Sequence, residues 1–240
     1  MLTRADRVVA VTAPIADDLA ERLGREARVI TNGFDPEEAE REAVPLDGML
    51  TPGRHSLVHT GRAGVSGRSP RSLLDGLAEL RARSPETAER LEVVFAGPTT
   101  AEERELLADE RLGGLARSVG ALDRPHALAL QRAADSLLVV AAGASMRSVA
   151  TNKLFEYLAA RRPVLVLGDE SEAARIVTEA GAGIVTPSDD PAAIAEALRR
   201  LVAGEVRPPS VQLARFAWPS LAECFEEEIE SAIREHARRS

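Results

Sequence analysis

The stretch SLLVVAAGASMRSVATNKLFEYLAARRPVLVL (136–167) decides the fold. It opens with the apolar run SLLVVA (136–141) and passes through a loop of small residues into a helical pattern, TNKLFEYLAA (151–160). A second apolar run, PVLVL (163–167), closes it. Strand, helix and strand over about 30 residues form a βαβ unit, whose two strands lie parallel in one sheet. The stretch therefore predicts an α/β fold.

The same alternation continues on both sides of this unit. Helix starts are indicated by Ser69 before Pro70 and by Asp190 before Pro191, because a capping residue followed by proline is typical of a helix N-terminus. Strands as apolar as these are buried on both faces, so helices are expected to cover both sides of the sheet. We predict a Rossmann-like, doubly wound parallel sheet, which binds ligands at the carboxyl ends of its strands. The further strand candidates are SLVHT (56–60), LEVVFA (91–96), ARSVG (116–120) and GIVT (183–186).

The chain divides into four parts around this sheet. Residues 1–35 resemble two strands and a helix, too few elements for a core of their own. The polar residues 36–54 suggest a linker or hinge, and residues 55–206 form the main domain. Residues 207–240 begin with prolines and continue as an amphipathic helix. The apolar stripe of that helix consists of Leu221, Phe225, Ile229 and Ile233.

Composition excludes several classes of protein. The net charge of −8 argues against a nucleic-acid binder that relies on positive charge. No stretch reaches the roughly 18 apolar residues that a membrane span requires. Asp6 and Arg7 interrupt the apolar core that a signal peptide would need, so a cytoplasmic protein is expected. The single cysteine, Cys224, excludes a disulfide framework, and the oligomeric state is left open.

Lys153 is the only lysine among the 30 Lys and Arg residues. Thr151 or Asn152 is expected to cap the helix, which places Lys153 in its first turn. A cation there opposes the helix dipole at a cost on the order of a few tenths of a kcal/mol, unless an anion lies in front of the helix. Glu156 follows three residues later on the same face. A phosphate site and an ordinary surface ion pair both remain open.

The loop GRAGVSGRSPR (61–71) is a second candidate for phosphate binding. It follows a strand, is rich in glycine and leads into a helix, so its amides with Arg62 and Arg68 have the chemistry to hold a phosphate. It matches no recognised glycine fingerprint, so a solvated connection remains the alternative.

Other polar residues suggest no further site. The sequence contains no Asp-x-Asp motif and no nucleophile elbow, and no metal site is predicted. The acidic run 226–228 is interpreted as a solvated helix face and Trp218 as a packing residue. The histidines lack metal-ligand spacing and are interpreted as structural or solvated: His55, His59, His126 and His236.

Six motifs, taken in order along the chain, resemble those of glycosyltransferase family 4. Members of that family are retaining enzymes of the GT-B fold that use nucleotide-sugars. The resemblance covers essentially the whole chain and points to the C-terminal, nucleotide-binding half of such an enzyme. The motifs are ARVITNGFD (27–35), LVHTGR (57–62) followed by Arg68, VGALDRPHALALQRAADSLLVV (119–140), TNKLFEYLAARRPVLV (151–166), GAGIVTPSDDPAAIAEAL (181–198) and FAWPSLAECFEE (216–227).

The resemblance implies roles for the phosphate and ribose contacts. Arg62 and Arg68 would hold the diphosphate, with Arg68 at the position of a family lysine. Glu156 would bind the ribose hydroxyls. Lys153 would lie beside the phosphates or the sugar, together with the amides of its neighbours Thr151, Asn152 and Leu154.

It also implies contacts to the base and the sugar. Backbone groups near Val119 and Gly120 would contact the base. Ser148 stands where the family commonly has a glutamate that faces the donor sugar, which is a departure from the pattern. The expected donor is a UDP-, GDP- or dTDP-sugar, with no cofactor and no metal.

The resemblance further implies an acceptor-binding N-terminal domain, of which residues 1–35 would be the last part. Without that domain, we expect the chain to bind the nucleotide without transferring sugar. Two alternatives remain open: a non-catalytic nucleotide-binding partner subunit, and a nucleotide-sugar epimerase of the GT-B fold.

Overall fold

The computed structural model describes residues 5–64, 69–141, 147–209 and 213–239. Its strands are β1 (Val9–Ala10), β2 (Arg28–Val29), β3 (His55–Thr60), β4 (Leu91–Ala96), β5 (Ala116–Ser118), β6 (Ser136–Val140), β7 (Val164–Leu167) and β8 (Gly183–Thr186). Its helices are α1 (Ala13–Leu23), α2 (Pro36–Glu40), α3 (Arg71–Arg83), α4 (Pro85–Glu89), α5 (Ala101–Leu107), α6 (Arg124–Ala133), α7 (Asn152–Ala159), α8 (Glu172–Glu179), α9 (Pro191–Val202) and α10 (Trp218–Arg239). Within the described ranges, none of these helices is both long enough and apolar enough to cross a bilayer.

Six strands form one parallel sheet in the order β5-β4-β3-β6-β7-β8. The chain winds outward from β3 to one edge and then returns to add β6, β7 and β8 on the other side. This is the doubly wound topology, so the predicted fold class is confirmed. The winding direction reverses between β3 and β6, which is where such sheets bind ligands.

Helices cover both faces of the sheet, as the apolar strands predict. Alternate residues of a strand point to opposite faces, so Leu57 packs with α3 and α9 while Val58 packs with α6, α7 and α8. Both side chains are completely buried. The two apolar layers hold the carboxyl ends of the strands in fixed positions.

The predicted helix starts are close to the observed ones. Asp190 caps α9, where its Oδ1 accepts a hydrogen bond from the amide of Ala193 at 2.9 Å. The helix predicted to begin at Pro70 begins at Arg71, whose amide donates to Ser69 Oγ at 3.2 Å.

The N-terminal segment packs against the C-terminal helix. β1 and β2 form a separate two-stranded parallel sheet, and Phe34 pairs with Ala217 just before α10. Arg28 forms ion pairs with Glu227 and Glu228 of α10, at 2.8 and 2.7 Å. The interpretation of the acidic run as a solvated face is therefore wrong for Glu228, whose side chain is 16% exposed. The domain boundaries at residues 35, 54 and 206 stay predictions.

The segment 36–54 is attached to the main sheet. The buried carboxylate of Glu92 on β4 accepts hydrogen bonds from the amide and hydroxyl of Thr51, at 2.7 and 2.8 Å. Arg117 on β5 donates to the carbonyl of Met49 at 2.7 Å. These bonds fix the end of the segment that leads into β3.

The apolar stripe of α10 lies at the surface. Phe225, Ile229 and Ile233 are 45%, 58% and 63% exposed. Trp218 is 56% exposed, so its interpretation as a packing residue is wrong. An amphipathic pattern shows which residues share a helix face, but it does not show what covers that face.

Candidate functional site

A cleft of about 350 Å³ lies at the carboxyl ends of β3 and β4, beside the point where the winding reverses. Four stretches of the chain enclose it: the ends of β3 and β4, the residues from Ala121 to Gln131, and the first turns of α7. Its lining includes Thr60, Gly61, Gly97, Pro98, Ala121, Leu122, Arg124, Gln131, Lys153 and Glu156.

Glycines allow the loops at the base of this cleft to approach each other closely. Gly61 directly follows β3 and has a φ of +82°, a conformation that favours glycine, and its amide donates to the Ala96 carbonyl at 2.7 Å. A Cβ on Gly97 would lie 2.2 Å from the Gly61 carbonyl oxygen. A side chain at Gly97 would therefore force apart the two loops that form the base of the cleft.

Lys153 lies in the first turn of α7, as predicted. Thr151 is the N-cap residue, and its side chain makes no capping hydrogen bond. The ammonium group reaches back to the end of β3, where Nζ is 3.3 Å from the position that a Cβ on Gly61 would occupy. Nζ also lies 3.0 Å from Nε2 of His59. The lysine therefore points toward the loop that contains Arg62, whose side chain is exposed.

Glu156 lies on the same face of α7 and is held by two donors. Its Oε1 accepts from Arg124 at 3.0 Å, and its Oε2 accepts from the side-chain amide of Gln131 at 3.2 Å. The Gln131 amide also donates to the hydroxyl of Thr60 at 3.0 Å. The Glu156 side chain remains 18% exposed, and each oxygen retains capacity to accept a further bond.

Arg124 connects this carboxylate to the segment 36–54. Its Nε donates to both oxygens of Glu38 on α2, at 2.9 and 3.0 Å. The hydrogen bonds from Arg124 lower the pKa of the Glu38 carboxyl. The carboxylates of Glu38 and Glu156 in turn raise the pKa of Arg124. Arg124 is therefore a cation shared by two carboxylates, those of Glu38 and Glu156.

Tyr157 attaches α7 to the end of β3. Its hydroxyl accepts a hydrogen bond from the amide of Thr60 at 2.8 Å, and its ring is completely buried. Burial raises the pKa of the Tyr157 hydroxyl, so the group stays protonated. This contact fixes the position of the helix that contains Lys153 and Glu156.

The loop before α7 is held through its carbonyl groups. The hydroxyl of Thr12 donates to the carbonyl of Ser148 at 2.7 Å. The side-chain amide of Asn32 donates to the carbonyl of Ala150 at 3.0 Å. The carbonyl of Arg147 accepts from the amide of Glu172 at 2.9 Å. The N-terminal segment thus helps to position the entry to α7.

The predicted site residues are brought together only in part. Lys153 and Glu156 line one cleft. Thr151 is the N-cap of α7, and Asn152 is the first residue of that helix. Arg68 lies outside the described residues. The side chain of Leu154 is completely buried, and its amide donates to the Thr151 carbonyl at 3.0 Å, so its role as an amide contact to the nucleotide stays a prediction.

The predicted base contacts near Val119 and Gly120 stay a prediction, because these two residues border the cleft without lining it. Val119 packs partly buried against the core, and its amide donates to the Phe95 carbonyl at 3.0 Å. Gly120 turns the chain with a φ of +79°. The cleft lining from this turn is Ala121 and Leu122, which immediately follow.

Sequence reasoning missed three residues of this cluster: His59, Arg124 and Gln131. His59 follows the apolar pair Leu57 and Val58 in a buried strand, and Gln131 is a polar residue on the buried face of α6. A polar side chain within an apolar periodic pattern was the available signal in both cases. Arg124 gave no such signal, because it lies at the start of α6 beside Pro125.

A larger groove, of about 940 Å³, lies beside α3 and α4 near the amino ends of the strands. Arg81, Arg111 and Asp75 line it, and Arg111 pairs with Asp75 at 3.2 Å. Size alone would favour this groove, but doubly wound sheets bind ligands at the carboxyl ends of their strands. We therefore assign the candidate site to the smaller cleft. In the part of the chain that the structure describes, no three His, Cys, Asp or Glu side chains are grouped so as to hold a metal ion.

Fold and cleft together define a doubly wound α/β domain with a charged cleft at its topological switch point. A sequence profile described as Glycosyl transferases group 1 matches residues 54–204. This match covers more than half of the chain, so the chain belongs to that family of glycosyltransferases.

Solved structures of the GT-B type share the fold. An α,α-trehalose-phosphate synthase (UDP-forming) from Burkholderia vietnamiensis is 17% identical with a TM-score of 0.69, and the match covers 97% of this chain and 61% of that chain. A sucrose-phosphate synthase from Thermosynechococcus elongatus is 20% identical with a TM-score of 0.68, covering 98% and 60% of the two chains. At these identities the similarity shows the fold alone. The search of curated proteins finds no significant match.

A third similar structure was solved with a nucleotide-sugar analogue. It is described as trehalose-6-phosphate from E. coli bound with UDP-2-fluoro glucose. It is 19% identical with a TM-score of 0.57, and the match covers 85% of this chain and 48% of that chain. The present chain thus spans less than two thirds of the length of each of these structures.

Proposed function

We propose that the chain is the C-terminal, nucleotide-sugar-binding part of a retaining glycosyltransferase of family 4. The observation that carries this proposal is that Lys153 and Glu156, on one face of α7, line the same cleft, with Lys153 beside Gly61. A cation and a carboxylate one helical turn apart, at the switch point of a doubly wound sheet, suit the phosphates and the ribose of one nucleotide. The proposed donor is a UDP-, GDP- or dTDP-sugar.

In this proposal, each part of the nucleotide meets different groups. The diphosphate lies between Lys153 and the loop that begins at Gly61, a loop whose sequence contains Arg62 and Arg68. The ribose hydroxyls donate to Glu156, whose orientation the neighbouring side chains fix. The base lies on the apolar turn that includes Leu122.

The cations would also stabilise the leaving group. Sugar transfer breaks the bond between the anomeric carbon and a diphosphate oxygen, which gains negative charge in the transition state. Fixed cations and helix amides aimed at that oxygen lower the barrier because they need no reorganisation. We propose that Arg62, Arg68 and Lys153 perform this task without a metal ion. Ser148, in place of the usual glutamate, leaves the sugar end of the cleft without that carboxylate.

We infer that this chain alone binds the nucleotide without transferring sugar. Transfer requires an acceptor positioned against the donor, and the chain spans about 61% of the length of a similar synthase. We propose the two-stranded β1–β2 sheet as the place where an acceptor domain would attach. We also propose a cytoplasmic location. The comparisons favour neither a non-catalytic partner subunit nor an epimerase.

Thermal unfolding with UDP, GDP, ADP and dTDP tests the proposal. A nucleotide at about 100 times its dissociation constant should stabilise the chain by about 2.7 kcal/mol. The stabilisation should disappear in Lys153→Ala and Glu156→Ala and persist in Glu105→Gln, an exposed control on α5. Stabilisation by none of the four nucleotides would contradict the proposed function.

A further inference from the structure

We propose that His59 is a positioning residue that holds the ammonium group of Lys153 at the phosphate end of the cleft. We further propose that this contact is the reason why position 153 is a lysine in a chain that otherwise uses arginine for positive charge. The inference rests on the proposed function, because it takes phosphate to be what Lys153 meets.

The hydrogen bonds of His59 define which ring nitrogen accepts. Nδ1 lies 2.9 Å from the carbonyl oxygen of Leu138, and a carbonyl only accepts, so Nδ1 has the proton. The neutral ring then presents Nε2 as an acceptor to the Lys153 ammonium at 3.0 Å. The Arg62 carbonyl, 3.3 Å from Nε2, is a contact and not a hydrogen bond in this tautomer. A doubly protonated ring would place two cations together, so the neutral ring fits the geometry.

The ring is fixed to both strands that border the switch point. Backbone pairing between β3 and β6 ends at Val58 and Leu137. The next residue of β3 is His59, whose ring bonds to Leu138 of β6 and thereby bridges the strands where they diverge. The ring is 1% exposed, so its orientation is set by packing. An ammonium held by this ring is therefore fixed relative to the base of the cleft.

The space available favours lysine over arginine. Nζ and Cε of Lys153 lie 3.3 and 3.6 Å from the position that a Cβ on Gly61 would occupy. A compact ammonium has three N–H groups at a single point, and one of them bonds to Nε2. A guanidinium is a planar fork of five N–H groups, which does not match one ring nitrogen beneath a tight turn. Lys153→Arg is therefore not a conservative change here.

A matched pair of variants separates positioning from packing. His59→Asn keeps a donor near the place of Nδ1, toward Leu138, but removes the acceptor for Lys153. His59→Gln places an acceptor near the position of Nε2 instead. Calorimetry with UDP, GDP and dTDP, each beside its monophosphate, then measures how much tighter the diphosphate binds. The measured quantity is the dissociation constant of the monophosphate divided by that of the diphosphate. We expect this ratio to fall roughly tenfold in His59→Asn and in Lys153→Arg, the value of one charge-assisted hydrogen bond from Lys153 to the phosphate. We expect His59→Gln to retain the wild-type ratio.

Opposite results would overturn the inference. If His59→Asn keeps the ratio while His59→Gln loses it, the ring serves only to bond Leu138. If Lys153→Arg keeps the wild-type ratio, the contact does not explain the lysine.

Nitrogen NMR of the histidine rings tests the contact without any nucleotide. The wild-type spectrum should show His59 protonated at Nδ1 and unprotonated at Nε2. Lys153→Met, which leaves the buried ring in place, should shift the Nε2 resonance more than the Nδ1 resonance. A proton on Nε2, or no shift, would overturn the inference even if nucleotides bind. If no nucleotide binds the wild-type chain, the proposed function is wrong, and the NMR result alone decides the contact.

Discussion

The side-chain amide of Gln131 joins Glu156 to Thr60: it donates to Oε2 of the carboxylate at 3.2 Å and to the hydroxyl at 3.0 Å. Gln131 is 2% exposed and lies on α6, whereas Glu156 is on α7 and Thr60 ends β3. One amide group therefore fixes the proposed ribose ligand relative to the sheet.

Replacing Gln131 should weaken nucleotide binding through Glu156. Gln131→Met keeps the length of the side chain but loses both hydrogen bonds. The lost bond to a charged group should lower the free energy of unfolding by about 1.5–3 kcal/mol. The dissociation constant of the nucleotide should rise because Glu156 is no longer held in one orientation. Calorimetry should show a smaller loss for the 2′-deoxy nucleotide, because that ligand offers Glu156 one hydroxyl fewer. Equal losses for both nucleotides would indicate general disruption of the cleft.

Thr12→Val should loosen the loop that precedes α7. Thr12 is completely buried, and its hydroxyl donates to the carbonyl of Ser148 at 2.7 Å. Valine leaves that carbonyl without its partner, so we expect faster amide hydrogen exchange around Ser148 and weaker nucleotide binding. Thr178→Val, on the exposed face of α8, is the matched control and should change neither. Unchanged exchange around Ser148 in Thr12→Val would show that the bond does not hold the loop.

Local pattern predicted much of the fold. Apolar runs located the strands of the main sheet to within two residues, and the spacing of Lys153 and Glu156 placed them correctly on one helix face. These features depend on residues that are close in the sequence. The helix cap at Asp190 was predicted for the same reason.

Contacts between distant segments were beyond such reasoning. His59 and Lys153 are 94 positions apart, and Thr12 and Ser148 are 136 apart. Each pair meets only because the strand order and the packing of the N-terminal segment bring them together. The sequence pattern of α10 also identified its apolar stripe. It did not predict that Trp218 would be exposed, because exposure depends on which distant segments pack against the helix.

Thr51→Val should destabilise the attachment of segment 36–54. The buried carboxylate of Glu92 accepts from the amide and hydroxyl of Thr51, and the variant removes the hydroxyl while the charge stays. Loss of one hydrogen bond to a buried charge should lower the free energy of unfolding by about 1–3 kcal/mol. Urea denaturation measures this, with Thr178→Val again as the control. Equal midpoints for the two variants would mean that the Thr51 hydroxyl contributes nothing.

The ion pair between Glu38 and Arg124 should give stability that depends on pH. Arg124 lowers the pKa of Glu38 below its ordinary value of 4.5. A carboxyl with a lowered pKa stabilises the folded state above that ordinary value, and the contribution is lost as the pH falls through the lower folded-state pKa. Because Arg124 is 55% exposed, the contribution should be at most about 1 kcal/mol. We therefore expect Glu38→Gln to be slightly less stable than wild type at neutral pH and equal to it in strong acid.

Urea denaturation at both pH values measures the difference, and Glu105→Gln should match wild type throughout. A Glu38→Gln difference that persists unchanged in strong acid would show that it does not arise from the charge of Glu38.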